Sequence, residues 1–325
     1  MARTLRLGRR GRRFKSCLPD HITAMMIIHY IINYFINYSS YLLLISPIFL
    51  FFFYFKNKEQ IIHKPLFKIV MIFLFLINFL LIYARFIEPN IIVEKNTSID
   101  TGFKAKVALI SDLHIGAYNS TKFLEKIVEK VNNIENVDFV VIAGDITYYP
   151  IGDLDTLLWP LKNLQKPTYA VLGNHDSQAP GPDIEDELKE ALERNNVIFL
   201  KNEDIYLEDL DIHILGFGDL LAKEVNIKKL KDFKDEDNLV VIAHTPDTVY
   251  SYKYTEPDLT LSGHTHGGQI RIPLIYKYFI PTKHGFDCCR TSGGCSSCSN
   301  PSATNIGEQG LLPDILSKLP VYSGV

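Results

Sequence analysis

Cysteine is missing from the whole stretch between Cys17 and Cys288. A thiolate-bound structural zinc is therefore excluded from the body of the chain. Strong charge of either sign is also missing. The formal net charge is -3, which leaves no basic footprint for nucleic acid, and no nucleic-acid partner is expected. The chain carries no internal repeat.

What the chain has instead is a set of five short polar motifs, each closing an apolar run. They are Asp112-Leu113-His114, Gly144-Asp145, Gly173-Asn174-His175-Asp176, His244, and Gly263-His264-Thr265-His266. The runs before them are 107–110, 139–143, 169–172, 239–243 and 259–262, mostly β-branched or aromatic. Such runs read as strands buried on both faces. Helical spacing of Phe123, Leu124, Ile127, Val128 and Val131 behind Ser120 predicts a helix with that serine as N-cap. Two further helices are read over 153–164 and 183–194, the second opened by Pro182. Alternating strands and helices predict a layered α/β sandwich.

In an open α/β sheet, ligands gather where the carboxyl ends of strands converge, so motifs far apart in sequence can share one crevice. Asp112 and His114 alternate along an extended segment and can reach one ion. Asp145, after a glycine at a strand end, suits a carboxylate bridging two cations and offsetting their repulsion. Asn174 offers an amide oxygen, and His244, His264 and His266 offer imidazole nitrogens. This mixed oxygen and nitrogen set suits two divalent ions of Mn, Fe, Zn or Co, with Mn favoured. A close metal pair lowers the pKa of a shared water and clamps phosphoryl oxygens, which is the chemistry of phosphoester hydrolysis.

The five motifs in this order, over roughly residues 104–282, resemble the calcineurin-like metallophosphoesterase family. The resemblance implies Asp112, His114 and His266 on one ion, Asn174, His244 and His264 on the other, and Asp145 between them. It implies a catalytic His175 that contacts the phosphate and protonates the leaving oxygen, with Asp176 orienting it. A metal-bound hydroxide would attack phosphorus in line. The substrate class implied is a phosphodiester or pyrophosphate, on a lipid-linked or nucleotide-sugar phosphate. The layout resembles the membrane-anchored branch of the family, which is similar to UDP-2,3-diacylglucosamine hydrolases. A non-catalytic membrane scaffold on the same fold is the alternative; it predicts degraded ligand positions, and all seven ligand residues are present.

Read alone, each motif histidine is an ordinary core or surface side chain. Five of the chain's ten in motif positions argue otherwise, while His21, His29, His63, His213 and His284 match nothing. Gly216-Phe217-Gly218-Asp219 repeats the Gly-Asp look without a partner motif and reads as a turn.

The N-terminal third is built differently. Residues 69–87 form a nineteen-residue stretch interrupted only by Asn78, Tyr83, Ala84 and Arg85, close to the roughly 20 residues a bilayer requires. Tyr38 to Phe55 reads as a second span, its Pro47 tolerable there. Ile22 to Asn37 is either a third span or an interfacial helix. A bilayer is thus an expected partner, and the expected location is a multi-pass place in the cell membrane. Basic residues crowd both 1–15 and 56–68. Three spans put both cytoplasmic and the catalytic domain outside; two spans put the domain inside and violate the charge rule at one loop. The count leans outward.

The expected organisation is a basic tail (1–21), a transmembrane region (22–87), a linker (88–103), a metallophosphoesterase domain (104–285) and a Cys-, Ser- and Gly-rich tail (286–325). The family pattern stops near Gly285, so an uncovered sheet edge is expected there. Cys295-x-x-Cys298 with Cys288 and Cys289 reads either as a zinc ligand set or as part of a low-complexity segment.

Overall fold

The computed structural model describes residues 38–59, 64–87, 90–177, 184–266, 303–304 and 319–324, with Ile31, Phe35 and Thr282. The readings placed on 22–37 lie outside these residues apart from Ile31 and Phe35. Those on the cysteines, on Pro182 and Asp183, and on His21, His29, His63 and His284 lie outside them too.

The fold is mixed α/β with parallel sheets. In chain order its strands are β1 (Glu94–Ile99), β2 (Lys106–Ile110), β3 (Ile115–Gly116), β4 (Phe139–Ala143), β5 (Thr147–Tyr148), β6 (Thr168–Val171), β7 (Val197–Phe199), β8 (Glu203–Leu207), β9 (Ile212–Gly216), β10 (Leu239–Ile242), β11 (Leu259–Leu261), β12 (Ala303–Thr304) and β13 (Leu319–Gly324). They form a six-stranded sheet in the order β1-β13-β2-β4-β6-β7, a five-stranded sheet β12-β11-β10-β9-β8, and a small pair β3-β5. The strands β2, β4, β6 and β7 run parallel, as do β9 to β12. Each motif therefore sits at a carboxyl end on the same rim.

Two strands come from beyond residue 285. β13 pairs antiparallel with β2 and parallel with β1, and β12 pairs with β11. An uncovered sheet edge is expected where the family pattern stops near Gly285; β2 and β11 instead each pair with a strand from beyond that point.

The period-two rule explains why the runs are apolar throughout. Phe139, Val141 and Ala143 of β4 face the second sheet, where they meet Ile212, Ile214, Val240 and Ile242. Val140 and Ile142 face the opposite way, onto helices. The helices, in chain order, are α1 (Leu42–Lys56), α2 (Pro65–Ile82), α3 (Thr121–Asn132), α4 (Leu154–Leu158) and α5 (Glu185–Arg194), of which the last three pack on this face. α3 buries the five apolar positions expected of it. Ser120 stands at its N-cap position, yet its side chain makes no capping hydrogen bond. α4 is shorter than the reading over 153–164: Pro160 has no N–H to continue an α-helix, and the chain proceeds as a 3-10 turn over Trp159–Asn163. Asp153 caps its start by accepting from the Thr156 N–H at 2.8 Å. α5 begins on Glu185, Asp186 and Glu187 and ends on Arg194, charges that complement the helix dipole.

The N-terminal helices show no such sidedness. No side chain of α1 is buried, and of α2 only Met71 and Asn78 are. Pro65 opens α2, and with its continuation to Ile87 it is a 23-residue helix containing an 18-residue stretch of mean hydropathy 2.5. Among the described residues it is the one helix long and apolar enough to cross a membrane. The second expected span is shorter than its reading: the chain turns at Ser40 and Tyr41, and α1 has 15 residues, about 22 Å at 1.5 Å per residue. The two helices meet through Asn78, whose amide donates to the Ser46 hydroxyl, and through stacked Phe53 and Phe67 rings 6.3 Å apart.

Ile142 has no exposed surface and packs between β4 and the helices. Ile142→Ala should lower the stability of the full chain by about 2–5 kcal/mol through lost transfer and a cavity, read as a lower midpoint in chemical denaturation. An unchanged midpoint would contradict this account of the core.

Candidate metal centre

The strand ends deliver their side chains through strained backbone. Asp112, His114, Asp145, His264 and His266 have φ of 55°, 47°, 51°, 71° and 48°. Left-handed backbone outside glycine costs roughly 1–3 kcal/mol per residue and persists only where the surroundings enforce it. The enforcement is a mesh of backbone hydrogen bonds. The Asp112 N–H donates to Gly144 O (3.1 Å), the His114 N–H to Asp145 O (2.9 Å), and the Gly263 N–H to His244 O (3.0 Å). The motif glycines permit this closeness. A Cβ on Gly144, whose φ is 81°, would lie 2.6 Å from His244 Nδ1, and one on Gly173 would lie 2.5 Å from the Asp145 nitrogen.

The result brings the expected ligands together. Three groups have their ligand atoms within 4.8 Å of one another: Asp112, His114 and His266; His114, Asp145 and His175; Asp145, His244 and His264. Asp145 is common to two groups, and its carboxylate divides its work. Oδ1 accepts the His175 N–H at 2.9 Å. Oδ2 faces His244 Nε2 at 3.2 Å and His114 and His175 Nε2 at 3.9 Å each. Asp112 accepts the His264 N–H on both oxygens, at 3.1 and 3.0 Å, and the Ser111 hydroxyl on Oδ2. His266 Nε2 lies 3.4 Å from Asp112 Oδ1.

Electrostatics favour positive charge at this point. Burial opposes ionisation of Asp145, but His244, His114 and His175 around it outweigh burial and hold its pKa well below the usual carboxylate range. Burial likewise opposes charge on His244, yet Asp145 lifts its pKa to about 10. Burial dominates at His114, pushed down to about 3 and so neutral, and it lowers His175 as well.

A divalent cation fits these residues on two grounds. Asn174 Oδ1 is buried without a hydrogen-bond partner, and an amide oxygen left so is an unmet acceptor. The imidazole nitrogens also converge in pairs, His114 Nε2 with His266 Nε2 and His264 Nδ1 with His244 Nε2, each at 3.2 Å. Two nitrogens about 2.1 Å from one tetrahedral ion are about 3.4 Å apart. His244 is oriented for this: its Nδ1 lies 2.8 Å from Ala143 O, a donor position that aims Nε2 at Asp145.

One sequence expectation is corrected. Asp176 does not orient the His175 ring. Its carboxylate, fully buried, accepts the N–H groups of Ile146 (2.9 Å), Thr147 (2.8 Å) and Gly173 (3.1 Å) and the Thr147 hydroxyl (2.8 Å). It ties the loop carrying Asn174 and His175 to the loop carrying Asp145. Burial raises its pKa to about 6, with Asp145 adding to the rise. Asp219 lies in no ligand group; its Oδ2 accepts the Ala222 N–H at 2.8 Å, closing a turn. His213 lies between the Tyr206 and Phe233 rings instead. The sequence reading missed Ser111, Thr147 and three tyrosines beside the site, Tyr118, Tyr148 and Tyr149. Their one signal was adjacency to the motifs.

Residues 105–268 match the family model described as calcineurin-like phosphoesterase, an interval containing every residue named above as a ligand. The chain is 35% identical over 190 residues to an uncharacterised metallophosphoesterase of Helicobacter pylori, covering 55% of this chain and 50% of that protein. It is 27% identical over 192 residues to phosphodiesterase YaeI of Escherichia coli, covering 57% of this chain and 68% of that one. Over 252 residues it is 27% identical to the UDP-2,3-diacylglucosamine pyrophosphatase LpxG of Chlamydia muridarum, covering 59% and 74%. The chain spans about half the length of the Helicobacter protein.

The Asp176 knot has a measurable consequence. Asp176→Ala strands three buried N–H groups, each worth about 1–3 kcal/mol. Stability should fall by several kcal/mol, and divalent-ion affinity should fall with it; a thermal midpoint equal to the wild type would contradict the assignment.

Proposed function

The chain belongs to the calcineurin-like phosphoesterase family, and from that premise we propose that it is a membrane-anchored, two-metal phosphoesterase acting on a phosphodiester or pyrophosphate. The observation carrying this reading is the convergence of His114, His175 and His244 on one buried carboxylate oxygen of Asp145. Asp112, His114 and His266 would hold one ion, Asn174, His244 and His264 the other, and Asp145 both. Mn, Fe, Zn and Co all suit this donor set, Mn best in our reading. When bound, the pair supplies Lewis acidity toward the phosphoryl oxygens and an activated water. His175 is the site's own acid or hydrogen-bond donor. Its side chain is 25% exposed beside Asp145, so it reaches a phosphoryl or leaving oxygen from the open side. Asp176 serves as a positioning residue for the two loops.

Membrane anchoring is supported by α2, whose length and hydropathy suit a span and whose flanks are bare. We assign 1–21 to a basic tail, 22–87 to a multi-pass membrane region, 88–103 to a linker whose β1 joins the first sheet, 104–285 to the catalytic domain, and 286–325 to a tail whose β12 and β13 extend the sheets of that domain. The basic residues of 1–15 and 56–68 favour an extracytoplasmic catalytic domain. A site tethered to the bilayer meets lipid-linked or nucleotide-sugar phosphates at its surface, and the name of the Chlamydia relative points to the same class.

The test is hydrolysis of bis(4-nitrophenyl) phosphate by the detergent-solubilised full chain with Mn. Turnover should vanish on chelation, fall below detection in Asp145→Ala, and drop about 10²–10⁴-fold in His175→Ala, the worth of a positioned acid. A folded wild type inactive with Mn, Fe, Zn and Co would favour a binding scaffold instead.

A further inference from the structure

The tyrosines beside the site form a connected set. β3 and β5 pair Ile115 with Thr147 and Gly116 with Tyr148, and the Ala117 N–H donates to Tyr148 O at 2.8 Å. Asn119 closes the loop after His114: its side-chain amide donates to Leu113 O at 2.6 Å, and its own carbonyl accepts the Gly116 N–H at 2.8 Å. This small sheet therefore fixes Tyr118 and Tyr148 relative to the ligand His114. The Tyr148 ring is buried and packs edge-on against His175 and His114, with centroids 4.6 and 5.6 Å away. Tyr118 lies over Tyr148 at 4.6 Å with its planes tilted 33°, and is itself 56% exposed. Tyr149 abuts Tyr148 at 4.7 Å.

Two features set this arrangement apart from ordinary packing. Tyr118 leaves more than half its surface in solvent while its ring stands 6.3 Å from that of His114, and the nearby His175 and His266 are themselves partly open. Tyr149 has φ of 43°, a conformation rare for a bulky residue. Burial and the neighbouring Tyr118 both raise the Tyr149 pKa, consistent with two phenols held close together.

We infer that Tyr118, backed by Tyr148 and Tyr149, is a specificity-determining platform on which a flat ring of the substrate, a nucleobase, stacks while its phosphate sits at His175 and the ligand cluster. The inference rests on the phosphoesterase reading and deepens it. Tyrosine faces stack on any base because every base presents a π-face. The buried Tyr148 transmits the placement: it contacts the phosphate-facing histidine and the exposed platform at once.

Binding isolates this from catalysis. Adenosine 5′-monophosphate and ribose 5-phosphate differ by the base alone, and both can be titrated calorimetrically into the Mn-loaded full chain in detergent. The wild type should bind the nucleotide about 5- to 100-fold more tightly, the range for one base on an aromatic side chain. Tyr118→Leu should bring that ratio near one while leaving ribose 5-phosphate affinity unchanged, and Tyr118→Phe should keep it. A ratio undiminished in Tyr118→Leu, or no base preference in the wild type, overturns the platform while Mn-dependent ribose 5-phosphate binding leaves the phosphate site standing. Loss of Mn-dependent binding for both ligands would overturn the phosphate site, and the platform with it.

Discussion

Asp145 is a buried carboxylate, 1% exposed, with imidazoles on three sides and the His175 N–H on its other oxygen. A charge taken out of water this completely is tolerated only with compensation. The parts of the site are arranged to give it. Five of the candidate ligand residues adopt left-handed backbone, glycines admit close approach, and Asp176 spans the two loops that meet at Asp145. The strained backbone and the glycines cost stability by themselves, and the Asp176 bonds together with the sheet sandwich beneath, whose central strands are apolar on both faces, offset that cost. Ligand geometry and core packing are in this sense one problem: parallel strands bring their carboxyl ends to a common rim, and the rim collects the charge.

Much of this was legible in the sequence for a physical reason. Strands buried on both faces are continuous apolar runs, so β2, β4, β6, β10 and β11 stand out from their surroundings and point at the motifs that follow them. Residue type then suggested a metal chemistry, and the structure gathers those same residues. What was illegible depends on contacts between loops. Asp176 follows His175 in sequence, which suggested a partner for its ring, but three of its four acceptor bonds reach across to Ile146 and Thr147, and the fourth is to Gly173 in its own loop. β3 and β5 have two residues each, too short for any periodicity to register. β1 reads Glu-Lys-Asn-Thr-Ser-Ile and alternates between exposed and half-buried positions, a strand without an apolar signal. The shortening of α4 was readable from Pro160 and was missed by following apolar spacing through it.

The N-terminal helices obey a different constraint. α3 and α5 each bury one face and show the other to water, whereas α1 and α2 show apolar side chains nearly all round. A polar contact between the helices, Asn78 to Ser46, is internal to the pair, where a polar side chain in an apolar setting finds a partner. A bilayer is the solvent that such helices fit. On the membrane-anchored reading proposed above, a bilayer around these helices would hold the rim near a membrane surface.

The most direct test of the central claim counts metal ions. Full-length chain in detergent, loaded with Mn and freed of excess, should carry two ions per chain by elemental analysis, and their electron paramagnetic resonance should show coupling through a shared ligand that Asp145→Ala abolishes. One ion, or two uncoupled ions indifferent to Asp145, would contradict an architecture organised round a bridging carboxylate.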